Sequence, residues 1–246
     1  MLNGVRGIYY RECMILRKKL VRTIMAGAVP PFLYLMAFGY GVGKDTTVDG
    51  IDYLTFLLPG LLAMSSMNHS YNIATEINIS RFYLKIFEEF LLAPNQRWQI
   101  ITGEVLYGIT KGMIPVLIIG VYSILCGVEL HFSTLFIAAL FLHLAAFSLI
   151  GFIVALKMKN HRDQATMNAF IITPMMFLSG TFFPVDQMPS IIQFLASISP
   201  LTYSADLIRT SLLNSGDFAT SSLIILSMLN GILILIANYI VQRVET

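Results

Sequence analysis

Charge is scarce in this chain. Only 12% of its 246 residues are Asp, Glu, Lys or Arg, about half the share of an ordinary soluble domain, which is roughly 25%. That excludes a domain clothed in solvated side chains, and the net charge of +2 is no footprint for nucleic acid. Cysteine is scarcer still: Cys13 and Cys126 are the whole supply, and no metal-type spacing exists. There is no H-E-x-x-H, no G-x-S-x-G and no paired-cysteine motif, so hydrolase and zinc chemistry have no sequence support. The glycines of Gly39–Asp45 imitate a phosphate-binding loop, but Phe38 stands where its first glycine would fall and Asp45 where its Ser or Thr would hold magnesium. No nucleotide site is expected.

Apolar residues fill the space, at 56% of the chain and a mean hydropathy of +0.73. Six long stretches stand out, at about 23–43, 53–74, 104–126, 133–156, 164–183 and 221–241. Each has roughly the 20 residues that a hydrocarbon core about 30 Å thick demands of a helix. The expected fold class is therefore an all-α polytopic membrane protein with six transmembrane helices. Pro30 and Pro31 predict a kink or break in the first. The second half of the second is polar, with Ser65, Ser66, Asn68, His69, Ser70, Asn72, Thr75 and Glu76; such a face must meet other helices or water.

Threading these spans sorts the flanking charges by sign. Arg6, Arg11, Arg17, Lys18, Lys19, Arg22, Arg81, Lys85, Arg97, Lys157, Lys159, Arg162 and Arg243 fall on one side. The other side holds Lys44 and Arg209 with Asp45, Asp49, Asp52, Glu129, Asp186, Asp206 and Asp217. Basic loops stay in the cytoplasm, so both termini are expected there, and Cys13 and Cys126 on opposite sides cannot form a disulfide.

The connections carry structure of their own. Residues 4–19 read as a basic amphipathic helix in the cytoplasmic interface, with Val5, Tyr9, Cys13, Leu16 and Leu20 on its apolar side and Arg6, Arg11, Glu12, Arg17 and Lys18 elsewhere. The link at 80–93 reads as a short cytoplasmic helix with the stripe Phe82, Ile86, Phe87, Phe90 and Leu91 beside Glu88 and Glu89, stopped by Pro94. The external link at 184–219 is broken by Pro184, Pro189 and Pro200 into pieces too short to span, suited to re-entrant or interfacial helices. Glu76, Glu104, Lys111 and His143 are the ionisable residues in or near spans. They either line a translocation path or fix helix packing. Gly108 and Gly112 weakly indicate a close helix contact.

Two stretches carry a family resemblance. L-S-G-T-F-F-P-V-D-Q-M-P followed by S-P-L-T-Y-S-A-D-L-I-R, with Ser179, Gly180, Pro184, Pro189, Pro200, Tyr203 and Arg209, resembles the signature of type-2 ABC transporter permeases. F-E-E-F-L-L-A-P, then W-Q-I-I-T-G-E and Lys111, resembles the same family's coupling-helix region. The similarity spans nearly the whole chain and is nearest the nodulation-type lipo-oligosaccharide and daunorubicin exporter permeases. It implies one transmembrane domain over 1–246, a homodimer, and a separate ABC ATPase on the cytoplasmic face. ATP and Mg2+ would be bound by that partner, none by this chain. The 80–93 helix would couple the two, 184–219 would cap the exit, and an amphiphile (a lipo-oligosaccharide, a lipid-linked glycan or a hydrophobic drug) would be exported across the cell (inner) membrane. Alternatives from other classes are an ion-gradient carrier or channel working through Glu76, Glu104, Lys111 and His143, and a scaffold subunit.

Overall fold

The computed structural model describes residues 3–43, 46–48, 50–86, 89, 96–213 and 220–243. Its helices are α1 (Asn3–Lys18), α2 (Leu20–Tyr34), α3 (Tyr53–Tyr71), α4 (Ile73–Phe82), α5 (Arg97–Leu125), α6 (Thr134–Lys157), α7 (His161–Met167), α8 (Thr173–Leu178), α9 (Ser190–Ile198), α10 (Pro200–Leu213) and α11 (Thr220–Arg243). A two-residue hairpin pairs Thr47 with Asp52, and Asp52 then caps α3 by accepting the Leu54 N–H at 3.0 Å.

Among the described residues four helical segments are long and apolar enough to cross a membrane: Leu20–Gly41, Arg97–Leu125, Thr134–Lys157 and Thr220–Arg243. The stretches expected to be the second and fifth spans are not among them, the second for the reason its polar half suggested. The second is the central helix: of the 19 residues of α3, all but Leu54, Thr55 and Asn68 are buried. α5, α6 and α10 pack around it, so its hydroxyls and imidazole are sheltered from lipid.

Two expectations about helix continuity change. Pro30 and Pro31 do not break α2; the chain stays helical through them and opens into wide π-type turns over Leu35–Val42. A proline lacks the N–H of a normal turn, and the wider turns downstream re-pair the backbone within the helix. The fifth stretch is helical from His161, passes through a π-type segment at Asn168–Ile172, and ends at Leu178 rather than Phe183. Gly180 there adopts a left-handed φ of 77°, which turns the chain across α3, where the Tyr53 hydroxyl donates to the Phe182 carbonyl at 2.9 Å. α9 and α10 meet at an 85° bend.

The bundle has two distinguishable ends. At one, Arg81 donates to the Ala155 carbonyl and Arg97 to the Gln242 carbonyl, the latter at 3.1 Å. At the other, the His131 N–H meets the Leu212 carbonyl at 2.9 Å and the Tyr40 hydroxyl the Cys126 thiol at 3.7 Å. The basic segments thus gather at one end, called the basic end below. Both cysteines are free thiols.

Close helix contact recurs along α5. A Cβ at Gly112 would overlap the Ser70 and Leu144 side chains, and one at Gly108 the Ser148 side chain, so this pair lets the α5 backbone pack directly on side chains of α3 and α6. Gly112→Leu is therefore expected to destabilise by about 1–3 kcal/mol through overpacking, read as a lower melting temperature of the detergent-solubilised protein. Gly120→Ala, where a Cβ meets only ordinary contact with Phe132, should leave the melt unchanged. A Gly112→Leu melt equal to that of the unsubstituted protein would show that α5 stands off from α3.

Candidate functional site

Toward the basic end, α1, α4 and α5 enclose a cluster of charges. α5 supplies a stripe, Glu104, Tyr107 and Lys111, because residues three and four apart share a helix face. Lys111 is 4% exposed, and its ammonium reaches Glu76 Oε1 on α4 at 3.0 Å. The Tyr107 hydroxyl donates to the other carboxylate oxygen of Glu76 at 2.7 Å. Glu76 keeps partial exposure, so the pair has one wet and one dry member. Glu104 is buried deeper, in the field of Glu12, Arg11 and Glu76.

α1 closes the cluster. It packs along α5, with the Tyr9 hydroxyl 2.9 Å from the Thr110 hydroxyl and Ile8 lying where a Cβ at Gly103 would intrude. Glu12, expected on the polar face, is buried instead. Burial pushes its carboxyl up from the ordinary value; the Arg11 guanidinium, with which it forms an ion pair, pulls it back, and the Glu76 charge pushes up again. The signal for Glu12 was present: it falls four residues after Ile8 and four before Leu16, in the middle of the stripe that faces α5. Tyr107 was legible in the same way, three residues after Glu104 and four before Lys111.

His143 does not join this cluster. Its Nε2 lies 3.0 Å from the Ser66 hydroxyl, and both residues are fully buried where α3 and α6 meet. Of the four ionisable residues singled out by sequence, the fold brings together Glu76, Glu104 and Lys111. Among the described residues no three His, Cys, Asp or Glu side chains converge as a metal site.

The other two candidate regions lie at the two ends. At the basic end, the helix expected from about residue 80 begins differently: residues 80–82 finish α4, and a turn at Tyr83–Lys85 follows, with Lys85 at a left-handed φ of 55°. That turn separates Phe82 from Ile86, so they do not share one helical stripe. Glu89 is exposed; Phe87, Glu88, Phe90 and Leu91 lie outside the described residues. Tyr83 is 70% and Leu84 56% exposed.

At the opposite end, Pro184 precedes a single turn at Val185–Gln187 and Pro200 opens α10. The Tyr203 hydroxyl donates to the Ser197 carbonyl at 2.6 Å, tying α10 to α9. Arg209 faces another way, stacked 3.9 Å over the Phe56 ring and donating to the Gly180 carbonyl at 2.8 Å. Asp206 accepts from Ser222 at 2.8 Å, joining α10 to α11. These residues border a cavity of about 680 Å³ that Asp186, Tyr203, Asp206 and Arg209 line together with hydroxyls.

Comparison with known proteins gives a family. The model of the ABC-2 type transporter family matches residues 5–213. The chain is similar to nodulation protein J of Rhizobium leguminosarum bv. viciae, 29% identical over 210 residues, covering 84% of this chain and 81% of that protein. It is also similar to the inner membrane transport permease YadH of Escherichia coli (strain K12), 28% identical over 218 residues, covering 87% of this chain and 84% of that protein.

The Glu76–Lys111 pair makes a testable cycle. Glu76→Gln leaves a buried ammonium without its counter-charge, and a loss of about 3–5 kcal/mol is expected. Lys111→Met removes the charge that needed compensation, so the double variant Glu76→Gln/Lys111→Met should recover a large part of that loss. Thermal melts of the four proteins check it; losses that simply add in the double variant would mean the two residues are not coupled.

Proposed function

This chain belongs to the ABC-2 type transporter family of membrane-integral transport permeases, and from that membership we propose that it is the permease half of an ATP-driven exporter of amphiphiles. In this reading six segments cross the cell (inner) membrane: α2, α3 with α4, α5, α6, α7 with α8, and α11. The basic end and both termini face the cytoplasm. Energy comes from a separate ABC ATPase that binds ATP and Mg2+, since the chain's one phosphate-loop imitation departs from that motif at Phe38 and Asp45.

The observation that carries the reading is the exposed Tyr83 and Leu84 at the basic end. They lie beyond α4 in the turn that leads to Ile86; the Tyr83 ring packs on one side against His161, with centroids 5.0 Å apart, and the described residues leave the rest of both side chains open. A protein partner on the cytoplasmic face would bury them, and α4 would carry its motion to Glu76. Two copies would form the transport unit. α2 is the least covered of the four apolar spans, which suits it to meet a second copy.

An amphiphile is favoured because the end opposite the docking surface offers mixed chemistry. The cavity beside Asp186, Tyr203, Asp206 and Arg209 suits a hydroxyl-rich or charged headgroup, while apolar helix faces beside it suit a tail. A lipo-oligosaccharide, a lipid-linked glycan and a hydrophobic drug all have that division.

Orientation is tested by reporter fusions: one placed after Thr246 should report the cytoplasm and one inserted near Asp49 the exterior. An exterior C-terminus would overturn the six-span arrangement. Docking is tested by co-purification of the partner ATPase. Leu84→Asp, and Phe87→Ala in the adjoining link, should each weaken association by about 2–4 kcal/mol if they anchor the interface, with export falling in parallel. Full ATPase recovery with normal export in both variants would remove this link from the coupling role.

A further inference from the structure

Away from these regions, the surface between α5, α6 and α11 is cut by a groove of about 370 Å³. Its walls are apolar, formed by residues such as Val105, Phe141 and Ile234, but Asn230 and Asn238 are set into the α11 side. Spaced by four, Asn230, Ile234 and Asn238 share one face of that helix. Asn230 is explained by packing: its Nδ2 donates to Leu142 of α6 at 3.1 Å and to Leu226 at 2.9 Å. Asn238 is not. Its Nδ2 bonds only its own helix, at the Ile234 carbonyl 3.1 Å away, so this amide holds no neighbouring element on a surface where lipid tails would lie.

Basic residues neighbour one end of the groove. Trp98 lines it at the start of α5 and is 39% exposed. Next to it, Arg97 reaches across to the Gln242 carbonyl at 3.1 Å. Arg243, the following residue on α11, lies 4.4 Å over the Tyr239 ring. Two exposed arginines from different helices are therefore neighbours beyond the Trp98 and Asn238 end of the groove, without lining it. Asn238 lies five residues inward from Arg243, about 7.5 Å along the axis at about 1.5 Å per residue. From that end inward the sequence of chemistries is guanidinium, indole, amide, then hydrocarbon. One phospholipid has the matching sequence of phosphate, interfacial carbons, glycerol esters and acyl chain.

We propose that this groove is a binding site for one anionic phospholipid of the inner leaflet, its phosphate between Arg97 and Arg243, its glycerol region at Asn238 and an acyl chain against Phe141 and Ile234. The assignment of leaflet rests on the orientation proposed above; the binding site does not. Charge complementarity selects the occupant. Basic clefts between helices at the cytoplasmic surface favour anionic headgroups, whereas a second copy packed symmetrically on this face would bring its own Arg97 and Arg243 against these two. The bound lipid would clamp the start of α5 to the end of α11.

Native mass spectrometry of the purified full-length protein, titrated with dioleoyl phosphatidylglycerol and separately with dioleoyl phosphatidylcholine, tests the proposal. One phosphatidylglycerol per chain should bind, with phosphatidylcholine at least tenfold weaker. Arg97→Gln/Arg243→Gln should weaken phosphatidylglycerol about thirtyfold, as expected for two basic groups near an anionic headgroup. Arg97→Lys/Arg243→Lys, which keeps the charges, should retain most of the affinity, and Ala145→Phe should fill the groove and weaken the lipid. Equal affinity for the two lipids, or unchanged phosphatidylglycerol binding in the Gln variant, would mean annular lipid only and overturn it. So would an Ala145→Phe protein that loses its dimer yet binds phosphatidylglycerol normally, which would give the groove to a second copy. If the Thr246 reporter is exterior while the titration behaves as expected, the orientation fails and the site stands.

Discussion

A helix with Ser65, Ser66, His69 and Ser70 in its second half cannot face hydrocarbon, and the placing of the other helices follows from sheltering it. Lipid offers no partner for a hydroxyl or an imidazole, so each must find one inside the protein or lie against other helices. Ser66 finds the Leu62 carbonyl at 2.7 Å and His143 of α6; His69 finds the Ser65 carbonyl at 3.1 Å. α5 can seal the flank only because Gly108 and Gly112 bring its backbone close. The apolar spans α5, α6 and α11 serve as a jacket, and their outward residues, such as Leu117, Phe141 and Leu235, are exposed for the same reason that α3 is not.

The same constraint explains why the buried charges cluster instead of scattering. Lys111 is nearly inaccessible, and an ammonium left there without a partner would carry a large desolvation penalty. Glu76 neutralises it, Tyr107 fills the remaining carboxylate valence, and the partial exposure of Glu76 keeps part of the pair hydrated. A charge pair tying α4 to α5 carries more geometric information than an apolar contact of equal area, because it has one working geometry. The gain is in specificity, since apolar replacements of buried ion pairs are often equally stable.

Much of this was legible in the sequence. The apolar stretches fall on α2 with its π-type continuation, α5, α6 and α11 within a few residues, except that α5 starts at Arg97, ahead of its apolar core, because Gln96 and Gln99 cap each other reciprocally. Hydropathy marks where lipid begins, not where a helix begins. The polar half of α3 announced its burial. Glu12 was misplaced because α1 was read against a flat membrane surface; its true neighbour is the charged stripe of α5, which turns a polar residue in the apolar row into a buried contact. The early end of the fifth stretch depends on the left-handed turn at Gly180 and on Tyr53 from a distant segment, and local pattern cannot contain either. The pairing of Glu76 with Lys111 spans 35 residues and likewise needs the folded chain.

Both elements at the basic end that would meet a partner converge on α5. α1 touches it through Ile8, Tyr9 and the buried Glu12; α4 touches it through Glu76, and α4 leads directly into the exposed Tyr83–Leu84 turn. Adjacency alone transmits nothing. What makes this arrangement capable of coupling is that Glu12 lies in the fields of both Glu76 and Lys111. A shift of α1 relative to α4 changes the distance between two carboxylates and one ammonium in a poorly hydrated space, where a small displacement changes the energy far more than it would in water. α1 and α4 thus meet through α5, the helix that both contact.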